Sequence, residues 1–289
     1  MSARGPYRIL ALDVDGTLLD ESSQLTPETR AALARAAEVG LRPVLCTGRR
    51  YRRARPVAID LGLRAPLVCN SGALVKDPGD HSTLWRADLG EAVSRALLQL
   101  WDDLGEHAVS FADGPPEGPD FFVRSYPTGR PHFDDYVGQN APHAAILPEW
   151  DRVSKARPHF HLCAIGERER MRDVEAEVLS LLGGRVRTFV QRSPFYTGTM
   201  CEVIRGDAGK WSAVLHVAEL WGVAPANIVA VGDDMNDEPM IRGAGMGVAM
   251  PHAPEAVRQA ADIVLGPGVS LADFIDTLIA EFPRGPDRP

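Results

Sequence analysis

The strongest constraint on the fold of this chain is an apolar run that stops abruptly at an acid. Arg8-Ile9-Leu10-Ala11-Leu12 is almost continuously apolar, the pattern of a strand buried on both faces, and it ends at Asp13. Thr26-Pro27 then opens a helix, with Thr as its cap and Pro at its first position, and the helix stops at Gly40. A second apolar run, Pro43-Val44-Leu45-Cys46, ends in Thr47-Gly48-Arg49. After an Arg- and Ala-rich helix a third, Pro66-Leu67-Val68-Cys69, ends at Asn70. Strand alternating with helix predicts an α/β fold, a doubly wound, Rossmann-like parallel sheet with crossover helices.

The rhythm changes after Lys76. From Thr83 the chain carries a helix (Gly90 to Leu104), a Pro/Gly-rich loop (Gly114 to Gly118), a second helix (Glu167 to Leu182) and short strand-like runs at Phe121–Val123, His159–Cys163 and Arg187–Val190. The parallel pattern returns with Ile228-Val229-Ala230-Val231, which ends in Gly232-Asp233-Asp234, and continues through Gly247–Met250 and Asp262–Leu265. These shifts predict a discontinuous core domain, residues 1–82 and 203–289, with an α+β cap domain inserted over residues 83–202.

Charge narrows the partners. The formal net charge is −8 and the sequence pI about 5.5, whereas neutralising nucleic-acid phosphates or an anionic membrane needs a basic surface. No segment reaches the roughly 20 apolar residues that span a bilayer. The first residues run straight into the first strand without a small-residue cleavage site, so they read as neither signal peptide nor anchor. The four cysteines, Cys46, Cys69, Cys163 and Cys201, form no CxxC pair and read as buried thiols in a reducing cytoplasm. The tail from Pro283 reads as disordered.

In open α/β sheets the ligand site forms beyond the carboxyl ends of the strands. The polar residues there are Asp13 and Asp15, Thr47, Asn70, then Asp233, Asp234, Asn236 and Asp237. Carboxylates converging from separate strands repel one another unless a cation lies between them. An oxygen-rich site with few ligands suits Mg2+, which keeps waters and binds substrate phosphate.

Asp13-Val14-Asp15-Gly16-Thr17-Leu18 resembles the first motif of the haloacid dehalogenase superfamily. Thr47-Gly48-Arg49 resembles the second, Lys210 fits the third, and Gly232-Asp233-Asp234-Met235-Asn236-Asp237 resembles the fourth. Order and spacing are similar to the Cof-type, class IIB phosphatases, whose α+β cap lies between the second and third motifs. Two departures stand out: Lys210-Trp211 replaces the usual Lys-Gly, and Pro251-His252 replaces Gly-Asn. The resemblance implies a Mg2+-dependent phosphatase acting on a small phosphorylated metabolite through an aspartyl-phosphate. Asp13 would be nucleophile and metal ligand. Asp15 would be general acid/base, binding the metal through its backbone carbonyl with its side chain free. Asp233 would complete the protein ligands, and Asp237 would orient from behind. Thr47, Gly48, Lys210 and Asn236 would hold phosphoryl oxygens.

Blander roles compete for several of these residues. Asp-Gly is a common turn pair, Thr47 can cap the following helix, and Asp233, Asp234 and Asp237 can complement a helix N-terminus. Arg49, Arg50, Arg52, Arg53 and Arg55 read as a solvated helix face. His159 and His161 lack a third ligand and read as a cap-strand surface or a substrate-facing pair. Phe195, Tyr196 and Met200 either line the cap side of a pocket or pack in the core. A phosphomutase or phosphotransferase would use the same acids, and a non-catalytic phosphate-binding protein is the alternative outside enzymes.

Overall fold

A computed structural model describes residues 7–19, 24–114, 117–149, 158–192 and 196–280. The chain divides into two compact units, one holding the residues up to Trp85 and those from Gly209, the other spanning Arg86–Ala208. The first unit begins with β1 (Ile9–Asp13), α1 (Pro27–Glu38), β2 (Arg42–Cys46), α2 (Tyr51–Asp60), β3 (Leu67–Cys69), β4 (Leu74–Lys76) and β5 (Thr83–Arg86). The second contains α3 (Glu91–Asp103), β6 (Ala108–Phe111), β7 (Phe121–Val123), α4 (Pro131–Gln139), β8 (Ala144–Ile146), β9 (His161–Gly166), α5 (Arg168–Leu182), β10 (Val186–Arg192) and β11 (Thr199–Arg205). The first unit resumes with α6 (Lys210–Leu220), β12 (Ile228–Gly232), α7 (Glu238–Gly243), β13 (Met246–Ala249), α8 (Glu255–Ala260), β14 (Ile263–Val264) and α9 (Leu271–Ala280).

The first unit is an eight-stranded sheet in the order β14-β13-β12-β1-β2-β3-β4-β5. Pairing is parallel from β14 across to β3 and antiparallel between β3 and β4. Every residue of β1 is buried, as its unbroken apolar character requires in a sheet covered on both faces. On one face Ile9, Ala11, Val44, Ile228 and Ala230 pack against Val214 and Val217 of α6. Thr26 caps α1 as the sequence predicts: its hydroxyl accepts from the Thr29 N–H at 3.2 Å. After β1 the chain moves outward through β2 and β3, and it later returns to the other side of β1 with β12 and β13. The strand order therefore reverses between β1 and β12, where a doubly wound sheet opens its ligand crevice. Asp13 and Asp233 stand on the two sides of that crevice.

The second unit is a six-stranded sheet, β10-β11-β9-β6-β7-β8, with antiparallel pairing except between β7 and β8. Helices α3 and α5 bury Leu97, Trp101, Val174 and Val178 against Leu162 and Val203. Both histidines are buried here, which corrects the reading of them as a strand surface. His159 is 2% exposed and His161 1%. The His159 ring pairs through Nδ1 with the Ser110 hydroxyl at 2.6 Å, and burial pushes its pKa down to about 4. His161 lies 3.4 Å from Glu202 and packs on Phe111. Met200 is buried in β11, and Tyr196 meets the Tyr136 ring edge-on. Phe195 and the tail from Pro283 lie outside the described residues. No helix among the described residues is long and apolar enough to cross a membrane.

Candidate active site

Four side chains from three elements meet beyond the ends of β1 and β12. Asp13, the last residue of β1, is 4% exposed, and its Oδ1 accepts from Lys210 Nζ at 2.6 Å. Lys210, 2% exposed, is the first residue of α6 and also donates to Asp237 Oδ1 at 2.7 Å and Asn236 Oδ1 at 3.0 Å. Its backbone is fixed by close packing: a Cβ on Gly72 would fall 2.1 Å from the Gly209 carbonyl carbon. The ammonium is thereby delivered to the carboxylates by main-chain geometry.

Asp237 is fully buried, and both its oxygens are engaged. Oδ1 takes Lys210, and Oδ2 accepts the Asp233 and Asp234 N–H groups at 3.2 and 3.1 Å. It therefore shapes the turn after β12 and gives no cap bond to α7. Asp233 is held by two other side chains. Thr17 donates to its Oδ1 at 2.8 Å, and the His252 ring reaches Oδ2 at 3.3 Å. Asp234 bonds its own neighbour, accepting from the Met235 N–H at 2.7 Å.

Gly16 makes the approach of Asp233 possible. Its φ is +91°, a region that L side chains avoid, and a Cβ there would lie 2.4 Å from Asp233 Oδ2. Gly16→Ala is expected to cost about 1–3 kcal/mol in backbone strain and to displace Asp233. Differential scanning calorimetry checks the first expectation, and a drop in divalent-cation affinity checks the second.

One oxygen from each of Asp13, Asp233 and Asp237 lies within 4.8 Å of the others. The cluster holds three carboxylates and one ammonium, which pairs with Asp13 and Asp237, so two negative charges remain when all are ionised. Burial pushes Asp13 well above the usual carboxylate range; Lys210 pulls it back, while Asp237 and Asp233 add to the rise. Burial raises Asp237 in the same way, against the same pull of Lys210. Burial alone would lower the Lys210 ammonium, but Asp13 and Asp237 outweigh it and hold it charged. A divalent cation matches this uncompensated charge, and an all-oxygen donor set fits a hard ion such as Mg2+. Asp237 is wholly buried, with one oxygen on Lys210 and the other on two backbone N–H groups, whereas the Asp13 and Asp233 side chains keep 6% and 13% exposure at the crevice.

The remaining residues predicted from sequence surround this cluster. Asp15 is half-exposed, and its carboxylate is gripped by both arms of the Arg49 guanidinium, with Nε 2.8 Å from Oδ2 and Nη2 on Oδ1. Its side chain is therefore engaged, where the resemblance implied a free one. Thr47 is 1% exposed and its hydroxyl accepts from the Arg49 N–H at 3.0 Å, while α2 has no side-chain cap. The hydroxyl turns the chain around the half-exposed Gly48 and does not cap the helix. Arg49 and Arg50 are not part of a solvated face: Arg49 is on Asp15, and Arg50 is buried. Asn70, Ser71 and Gly72, all at positive φ, follow β3, and their backbone N–H groups reach Arg49 (from Asn70) and Thr47 (from Ser71).

Sequence reasoning missed Thr17, Arg49 and His252 as neighbours of the acids. Thr17 lies inside the first motif and Arg49 inside the second, so position alone was the available signal. Of the two departures, Trp211 packs its indole against Gly243, where a Cβ would sit 2.4 Å away, and joins the hydrophobic core. His252 instead enters the site. Cys46 is buried beside Asp13, and burial pushes its thiol up, away from thiolate chemistry.

The haloacid dehalogenase-like hydrolase family matches residues 10–268. The chain is 29% identical to the pyridoxal phosphate phosphatase YbhA of Escherichia coli strain K12, over 93% of this chain and 97% of that protein. It is 26% identical to an HMP-PP phosphatase of Yersinia pestis, over 88% and 87%. Among solved structures, the subclass IIB sugar phosphatase BT4131 superposes with a TM-score of 0.72 at 20% identity, over 93% of this chain and 98% of that one. A family match across both units, on a sheet that reverses at an acid cluster, means that this chain belongs to the haloacid dehalogenase-like hydrolases.

Proposed function

We propose that the protein is a Mg2+-dependent phosphatase that hydrolyses a small phosphorylated metabolite, with Asp13 as nucleophile. The observation that carries this reading is Asp13 itself: a buried carboxylate at a strand end, held on one oxygen by Lys210, with Asp233 facing it across the crevice. An Asp13 oxygen attacks phosphorus, the ester bond to the leaving oxygen breaks, and the phosphoryl group rests on Asp13. Asp15 gives the leaving oxygen a proton, then takes one from the water that hydrolyses the aspartyl-phosphate. Inorganic phosphate departs and Asp13 is restored.

The Asp15–Arg49 pair has to open before Asp15 can serve. A phosphate ester competes well for a guanidinium fork, so substrate arrival and release of Asp15 are coupled. Lys210, Asn236, Thr47 and Gly48 would hold the phosphoryl oxygens, where charge builds up. Asp13, Asp233 and the Asp15 carbonyl would hold Mg2+, which would supply charge neutralisation there, and Asp237 orients the turn that carries Asp233. Four unbridged cysteines fit work in a reducing compartment such as the cytoplasm.

A phosphate-release screen over sugar phosphates, nucleotides and cofactor phosphates tests the reading, with pyridoxal phosphate first because the E. coli relative is named for it. Phosphate release that depends on Mg2+ is expected. Full activity in excess chelator would sink the metal assignment. Isomer formation without release would instead make the protein a mutase.

A further inference from the structure

The two residues that depart from the Gly-Asn pattern act together. The Met250 N–H donates to the Gly232 carbonyl at 3.0 Å, which ties the chain there to the residue before Asp233. The Ala253 N–H donates back to the Met250 carbonyl at 3.1 Å, closing a four-residue turn with Pro251 second and His252 third. The pyrrolidine ring fixes φ at the second position, so the turn is set before any ligand arrives. His252 Nε2 then lies 3.3 Å from Asp233 Oδ2. A carboxylate oxygen only accepts, so the imidazole carries its proton on Nε2 and donates it. Thr17 holds the other oxygen, and the bare backbone of Gly16 lies against the carboxylate.

We propose that His252, delivered by the Pro251 turn, is a positioning residue that fixes the rotamer of Asp233 for a divalent cation. The inference rests on the metal reading given above. A ligating carboxylate that can rotate loses that freedom when the ion binds; one already held by two donors has little left to lose. The His252 side chain is 56% exposed and that of Asp233 only 13%, so His252 can be changed without opening the core. A Gly-Asn turn at this place would be more flexible, and its amide shorter than the imidazole.

The test is a titration of the full chain with Mn2+ alone, reading free Mn2+ by electron paramagnetic resonance. The unsubstituted protein is expected to bind the ion, and His252→Ala to bind it about tenfold more weakly or worse. His252→Gln, whose amide nitrogen can stand where Nε2 stood, is expected to stay close to the unsubstituted protein, with Pro251→Gly between. Unchanged affinity in His252→Ala overturns the proposal, as does His252→Gln binding as poorly as the Ala variant. A thermal midpoint in excess chelator that drops in His252→Ala assigns the residue to the fold instead. Absence of Mn2+ binding by the unsubstituted protein removes the metal reading itself, a result distinct from the other three.

Discussion

Asp13→Asn is expected to take phosphate release below detection, a fall of at least about 10^4-fold, and to leave the fold standing. The amide keeps the shape of the carboxyl but offers a far poorer nucleophile, so the covalent step fails even with substrate in place. Stability should move the other way. Burial and the neighbouring carboxylates of Asp237 and Asp233 all disfavour a charge on Asp13, and only Lys210 favours it. A neutral Asn relieves that repulsion, and Lys210 keeps its bond to Asp237 at 2.7 Å. The thermal midpoint in chelator should therefore hold or rise while turnover vanishes. Measuring both separates a lost nucleophile from a damaged core. Turnover near that of the unsubstituted protein would reject Asp13 as the attacking group.

What the sequence made legible was the part written in apolar runs and their endpoints. A run buried on both faces, stopping at Asp13, and a second stopping at Gly232, suffice for a doubly wound sheet, because continuous apolar character marks strands covered by crossover helices. The α/β core and the presence of an α+β unit within it follow from that reading. The second unit was harder. Strand β11, Thr199–Arg205, places Glu202 in the middle of seven mostly buried residues, so neither alternation nor an unbroken apolar run announces it. His159 and His161 misled for a related reason. Polar residues suggest a surface, yet here Ser110 pairs with one ring and Glu202 lies beside the other, in a buried setting that spacing cannot reveal. The same limit applied at the acid cluster. Asp13 and Asp233 stand at strand ends and can be read from position. Arg49 on Asp15, and Thr17 and His252 on Asp233, are contacts across 34, 216 and 19 residues of chain. No local pattern encodes them.

Lys210→Met carries the largest expected effect on stability. The ammonium is 2% exposed and bridges Asp13 and Asp237, both buried, so its removal strands two carboxyls in a low-dielectric interior. Breaking a buried ion pair from one side costs about 3–5 kcal/mol, which for a chain of this size lowers the thermal midpoint by on the order of 10 °C. Methionine fills much of the same volume, so the loss reports charge rather than a cavity. The pH dependence identifies the cause. Burial already raises the folded-state pKa of Asp13 and of Asp237 above the unfolded value, and loss of Lys210 removes the main opposing pull on each. Carboxyls with raised folded values contribute stability that is present below the unfolded pKa and lost as pH rises through the folded one. The gap between variant and unsubstituted protein should therefore narrow as pH falls from about 8 toward about 5. Added Mg2+ at neutral pH should narrow it too, because a cation between Asp13 and Asp233 offsets part of the stranded charge. A gap that stays constant across that pH range would mean that Lys210 acts by packing alone, and the carboxylates would then have to be neutral in the folded protein.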